Sequence, residues 1–149
     1  RNASLMSPQM YREFIKPFQK QMIDECHRLE MYYEAHSCGK MDNLAGDLVE
    51  IGADILNPVQ NFNDQAFLAR TYGGKVAFDG GHDLCVNLPE TTEEEIRAEV
   101  RRAIDIFAPT RSYFYTNSSV IKKNQAIMTD EAKKYGFHYW TREGLQAKP

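Results

Sequence analysis

Met31-Tyr32-Tyr33-Glu34-Ala35-His36-Ser37-Cys38-Gly39-Lys40-Met41 is the stretch on which the reading of this chain turns. Met31 to Ala35 is a short strand-like run, and a helical pattern starts from Asp42. A short apolar strand, a turn and then a helix make one βα unit. Within the turn, His36 and Cys38 stand two residues apart at a strand end, where both side chains can face one point. Imidazole and thiolate are preferred ligands of zinc. A plainer reading makes Cys38 a small buried hydrophobe and His36 a hydrogen-bonded loop residue.

Working outward, the same unit repeats. Leu44, Leu48, Val49 and Ile51 give a helix that closes at Gly52, a glycine cap. Asp54 to Asn57 reads as a second strand, which Pro58 stops. Asn63-Asp64 starts a helix with Phe67, Leu68 and Tyr72 inward and Gly73-Gly74 at its end. Lys75 to Phe78 is a third strand, running into Asp79-Gly80-Gly81-His82-Asp83-Leu84-Cys85. Thr91 and Thr92, each followed three residues on by Glu94 and Glu95, form a capping-box pattern ahead of the stripe Ile96, Val100, Ile104 and Phe107. Glu93 and Arg97, four apart, can pair on its outer side. Pro109 ends that helix, Ser112 to Thr116 is a fourth strand, and a last helix runs from Lys123 or Asn124 to Tyr135, stopping at Gly136. Tyr139 and Trp140 are expected to pack on the outside.

Ahead of the first strand, Ser7-Pro8 opens an amphipathic helix over residues 8–29, kinked at Pro17. Met10, Phe14, Phe18 and Met22, flanked by Tyr11, Ile15, Ile23 and Cys26, are expected to face the core. Arg12, Lys16, Lys20 and Asp24 take the opposite side. The order is therefore a helix, then four strand–helix units with short loops, which predicts an α/β chain with a parallel sheet. No strand is followed by a glycine-rich phosphate loop, so a nucleotide-binding fold lacks its motif.

Four such units are half of an eight-stranded barrel. Half a barrel leaves two open edges and an uncovered inner face. The expectation is one domain over residues 1–149, either the C-terminal half of a longer chain or a half that self-associates. At 42% hydrophobic and 26% charged, the chain can bury a core. A net charge of -3 offers no basic footprint for nucleic acid. No apolar run approaches the roughly 18 residues that span a bilayer. Three cysteines argue against a disulfide scaffold and for a reducing, cytoplasmic setting. Residue 1 is Arg, so Arg1-Asn2-Ala3-Ser4 reads as the middle of something longer.

Three segments together carry a resemblance. They are Leu5-Met6-Ser7-Pro8-Gln9-Met10-Tyr11-Arg12-Glu13-Phe14-Ile15-Lys16-Pro17, then His36-Ser37-Cys38-Gly39 followed by Ile51-Gly52-Ala53-Asp54-Ile55-Leu56-Asn57-Pro58-Val59-Gln60, then Asp79-Gly80-Gly81 with Leu88-Pro89-Glu90-Thr91-Thr92-Glu93-Glu94-Glu95-Ile96. In order and spacing, up to about Gly136, the chain resembles the C-terminal half of the uroporphyrinogen decarboxylase superfamily, which implies a TIM barrel. Two chemistries come with the resemblance. One is cofactor-free decarboxylation of a tetrapyrrole. The other is zinc-dependent methyl transfer between a methylcorrinoid on a partner protein and a thiol or folate acceptor. The His-x-Cys-Gly turn looks like the methyltransferase branch, in which a later cysteine completes the zinc site. Ala108 to Ser118 holds no cysteine.

In a TIM barrel the strand ends share the face that holds the active site. His36 and Cys38 are the expected zinc ligands, with Cys85, or else His82, in place of the missing cysteine. Asp79, at the third strand end, is the candidate catalytic carboxylate. Gly80 and Gly81 would let a large ring approach the backbone. Asn57, Gln60, Tyr115 and Asn117 are the candidate substrate contacts. Methyl transfer is the leading expectation, tetrapyrrole decarboxylation the alternative, and a non-catalytic half barrel for binding or assembly the reading from another class. The expected partners are a corrinoid protein or a tetrapyrrole, together with a missing N-terminal half or a second copy.

Overall fold

The computed structural model describes residues 4–117 and 119–139. The elements in chain order are α1 (Pro8–Phe14), α2 (Lys16–Arg28), β1 (Glu34–His36), α3 (Ala45–Glu50), β2 (Ile55–Asn57), α4 (Gln65–Tyr72), β3 (Ala77–Asp79), α5 (Glu93–Phe107), β4 (Tyr113–Phe114) and α6 (Lys122–Tyr139). Two single 3₁₀ turns, Leu84–Asn87 and Ala108–Thr110, flank α5. The four strands form one sheet in the order β1-β2-β3-β4, every pair parallel. The fold is α/β, the arrangement of a partial TIM barrel.

Each strand is a residue or more shorter than expected, and β1 begins at Glu34 rather than Met31, so His36 closes the strand instead of opening the loop. Along the strands the side chains alternate. Ala35, Leu56 and Phe78 are buried, in one cluster with Ile23, Leu48, Leu68 and Phe107 from the helices. The alternate residues Glu34, His36 and Phe114 are exposed and Ile55, Asn57 and Ala77 half-buried, so the face away from the helices is open except around the buried Asp79. Asn57 stands opposite His36, and Leu56 opposite Phe78. That register carries the last residues of β1, β2 and β3 to one level.

The helix punctuation follows the sequence closely. Thr92 caps α5, its hydroxyl accepting the Glu95 N–H while the Glu95 carboxylate accepts the Thr92 N–H. Arg97 pairs with Glu93 at 2.7 Å. Ile96, Val100, Ile104 and Phe107 are buried, three of them in a second cluster with Ile127 and Met128 of α6. Asp64 caps α4, accepting from Phe67 N–H at 2.9 Å. α6 runs through Gly136 to Tyr139, four residues past the expected stop. A single glycine costs a helix only about 1 kcal/mol, and packing on α5 outweighs that. Trp140 and the side chains of His138 and Tyr139 lie outside the described residues.

The N-terminal helix departs from expectation twice. It is two helices, broken at Ile15, whose φ of −116° leaves the helical range two residues before Pro17. Its expected core stripe is also turned outward. Met10, Phe14, Phe18 and Met22 are 52%, 57%, 64% and 58% exposed, while Tyr11 and Ile23 are buried. Arg12 and Lys16, expected on the solvent side, reach inward to the buried Asp47 of α3 at 2.9 and 2.8 Å. A buried carboxylate needs cations nearby, and this pair of contacts fixes which side of α1 and α2 faces the domain. Among the described residues, no helix is long and apolar enough to cross a membrane.

Candidate functional site

The last residues of the strands meet in one hydrogen-bonded row. Cys38 Sγ lies 3.3 Å from His36 Nε2. His36 Nδ1 lies 2.7 Å from Asn57 Oδ1. Asn57 Nδ2 donates to Asp79 Oδ2. Asp79 Oδ1 accepts from the Thr116 hydroxyl at 2.5 Å. The row thus links β1, β2 and β3 to the segment that follows β4. Asp79 is buried, whereas His36, Cys38 and Thr116 are open to solvent.

The turn that presents Cys38 is held from behind. Gly39 N–H donates to Gln60 Oε1 at 3.0 Å. Asn63, 5% exposed, accepts from the N–H groups of Met41 and Asp42 and donates to the Gly39 and Gln60 carbonyls. Gly39 takes φ +99°, a conformation that favours glycine. Gln60 therefore shapes the His36–Gly39 turn from the second strand's loop.

Four other candidates have work elsewhere. Gly80 and Gly81 are buried with φ +86°, and a Cβ on them would stand 3.2 Å from Pro58 Cβ and 2.9 Å from Phe107 Cε2. Their space is filled by protein, so no ring can approach there. The Gly81 carbonyl accepts from Gln65 and Arg102, and the Gly80 carbonyl from Tyr113. Tyr115 donates to the Met128 carbonyl in α6, and burial raises its phenol above the ordinary range. Asn117 donates to Gln125 O and Thr129 Oγ1 of α6. Both bind the last helix rather than line the mouth.

His82 and Cys85 do not join His36 and Cys38: among the described residues, no three of His, Cys, Asp and Glu are grouped to hold a metal ion. The loop after β3 turns inward and becomes the Leu84–Asn87 turn. His82 is 4% exposed, edge-on to Tyr115 with ring centroids 5.1 Å apart, and burial lowers its pKa to about 4. Burial, together with Asp83, pushes the Cys85 thiol up to about 11, far from a thiolate.

The donors that remain pass a geometric test as a ligand pair. Bond lengths of about 2.3 Å to sulfur and 2.0–2.1 Å to nitrogen set the two donors of one tetrahedral zinc roughly 3.6 Å apart, and 3.3 Å is close to that. A third protein ligand is absent among the described residues. Beside the pair lies a cleft of about 760 Å³, walled by Phe14, Ile15, Phe18 and Met22 on one side and by His36 and Cys38 on the other.

Thr116, Asn63, Gln65 and Arg102 were not singled out from the sequence as site residues. For the row itself a signal existed: β2 and β3 each pass from apolar residues to a polar one, Asn57 and Asp79, at the level of His36. Asn63, Gln65 and Arg102 each make a bond that spans 16 or more residues of chain, which no local pattern marks.

No curated protein and no solved structure matches the chain. The uroporphyrinogen decarboxylase (URO-D) family matches it over residues 1–119, a span that includes every strand and the whole row from Cys38 to Thr116. The chain belongs to the uroporphyrinogen decarboxylase family.

Proposed function

We propose that this chain carries the metal-binding strand ends of a zinc-dependent methyltransferase, which moves a methyl group between a corrinoid protein and a thiol or folate acceptor. The observation that supports it best is the His36–Cys38 pair. One nitrogen of His36 is engaged by Asn57, and the other faces Cys38. Metal-binding histidines almost always donate their second ring N–H to a carboxylate, a backbone carbonyl or water, and the Asn57 amide oxygen is an acceptor of the same kind. Bound by His36 Nε2 and Cys38 Sγ, zinc would hold an acceptor thiol as the thiolate, a strong nucleophile at neutral pH. Phe14, Phe18 and Met22 give the cleft beside the pair an apolar wall. A further ligand comes from outside the described residues, and the exposed stripe of α1 and α2 is the face on which a complementary half barrel docks.

Decarboxylation of a tetrapyrrole is the second reading, favoured by the family's description. A substrate bearing many carboxylates calls for free cations. Among the described residues that line the cleft, the cation is Lys40, which is paired with Asp42 at 2.9 Å.

Metal analysis of the purified protein, beside His36→Ala and Cys38→Ser, tests the proposal. About one zinc per chain, lost in both variants, together with methylcobalamin-dependent methylation of a thiol, is the expected result. Zinc retained in both variants, or none in the parent with turnover of uroporphyrinogen, overturns it. No metal and no turnover on either substrate supports a non-catalytic half barrel.

A further inference from the structure

We infer that Asp79 is a positioning residue, which acts through Asn57 to fix the proton of His36 on Nδ1. The argument runs along the row from β4 to β1. The Asp79 side chain has two oxygens. One accepts from the Thr116 hydroxyl, and the other accepts from Asn57 Nδ2. An amide has one donor end and one acceptor end. With the donor end held by a carboxylate, Asn57 Oδ1 is left to face His36 Nδ1. The reversed amide would set its oxygen against the carboxylate. Oδ1 has no proton to give, so His36 Nδ1 must supply the one between them. A neutral imidazole carries a single ring proton. Nε2 is therefore a bare lone pair, and it is the nitrogen that faces Cys38.

This assigns Asp79 a different task from acid–base chemistry on a substrate. Both its oxygens are engaged and the residue is 6% exposed. It acts at two removes on the one atom of His36 that can bind an electrophile. Because Nδ1 faces Asn57 and Nε2 faces Cys38, the direction of the amide decides whether imidazole offers a lone pair or a proton at the thiol. Thr116 completes the device from the fourth strand's end, holding the carboxylate from the side away from Asn57.

The test reads the tautomer directly. ¹⁵N NMR of the His36 ring, assigned with His36→Gln, is recorded for the parent, Asp79→Ala, Asp79→Asn and Asn57→Ala, with circular dichroism as the check on folding. The parent is expected to show protonated Nδ1 and bare Nε2. Asp79→Ala and Asn57→Ala are expected to shift His36 toward the Nε2–H form. Asp79→Asn retains an acceptor oxygen for Asn57 and is expected to keep the parental tautomer. Should Asp79→Ala fail to fold, Asn57→Ala, at a half-buried position, gives the same reading. An Nε2–H tautomer in the parent, or a folded Asp79→Ala or Asn57→Ala with an unchanged tautomer, overturns the inference. A second arm rests on the zinc reading above: cobalt(II) titration should show affinity reduced about 10- to 100-fold in Asp79→Ala and preserved in Asp79→Asn. A parent that binds no cobalt counts against the zinc reading alone, because the tautomer is measured without metal.

Discussion

Two amphipathic helical segments in this chain carry equally clear stripes and meet opposite fates. In α5, Ile96, Val100, Ile104 and Phe107 are each at most 4% exposed, and charge pairs such as Arg101–Glu94 lie outward. In α1 and α2, Met10, Phe14, Phe18 and Met22 are more than half exposed, and the charges Arg12 and Lys16 face inward to Asp47. Periodicity states that a face calls for cover. It does not state where the cover comes from. α5 finds α6 and the sheet within the same domain. The stripe on α1 and α2 meets nothing comparable among the described residues, and its Phe14, Phe18 and Met22 instead wall the cleft beside Cys38.

The sharpest way to break that comparison is to truncate one phenylalanine on each side. Phe107 is fully buried, its ring centroid 5.0 Å from that of Phe78 and 5.3 Å from that of Tyr113, with Gly81 against its edge. Phe107→Ala is expected to cost about 3–5 kcal/mol of unfolding free energy. Phe18→Ala, at an exposed position, is expected to stay within about 0.5 kcal/mol. Urea denaturation of both variants measures the difference. A large loss in Phe18→Ala would mean that the stripe is covered in solution, by a second copy or by another part of the barrel.

A smaller effect is expected where the two segments are held in their unequal orientations. Asp47 is 5% exposed and accepts from both Arg12 and Lys16. The hydrogen bond from Arg12, then that from Lys16, holds its carboxyl below the usual range. Asp47→Ala is expected to cost about 1–2 kcal/mol, moderated because Arg12 is open to solvent. The carboxyl's contribution is present in full above about pH 3.8 and is lost as pH falls from there through the lowered value of the folded carboxyl. An unchanged midpoint for Asp47→Ala, with α1 and α2 still helical, would show that the clamp is not what sets their orientation.

Much of this fold was legible in the sequence because its signals are local. The capping box at Thr92 and Glu95, the glycine turn at Gly52, the Asp64 cap and the alternation of strands with helices all act within a few residues, and all are present. The candidate site was half legible. His36, Cys38, Asn57 and Asp79 converge because the parallel register sets strand ends side by side, which the fold class already implies. Thr116 escaped notice because a hydroxyl near a strand end is common and its bond to Asp79 spans 37 residues. His82 and Cys85 stand apart from His36 and Cys38 for a related reason: their loop folds inward at Leu84–Asn87, where burial rather than spacing decides what surrounds each side chain. The outward stripe of α1 was hidden for the same reason as Thr116, since Asp47 is one carboxylate within a helix and its pull on Arg12 spans 35 residues.

His82 offers the gentlest probe of the covered side. It is buried beside α5, with neither ring nitrogen given a hydrogen-bond partner of good geometry. Burial holds its pKa near 4 in the folded protein, against 6.5 for the ordinary side chain. Below pH 6.5 the unfolded chain takes up a proton that the folded one refuses. The unfolded state then binds more protons, so stability falls as pH falls, at up to about 1.4 kcal/mol per pH unit, until about pH 4 is reached. Above pH 6.5 the contribution is complete and flat. His82→Phe keeps an aromatic ring against Tyr115 and removes the titrating group, so its stability should fall less steeply between pH 6.5 and 5.5, by roughly that slope. Urea midpoints for parent and variant at those two pH values decide it. Parallel slopes would mean that water reaches His82, and that the covered side of the domain is less closed than α5 makes it.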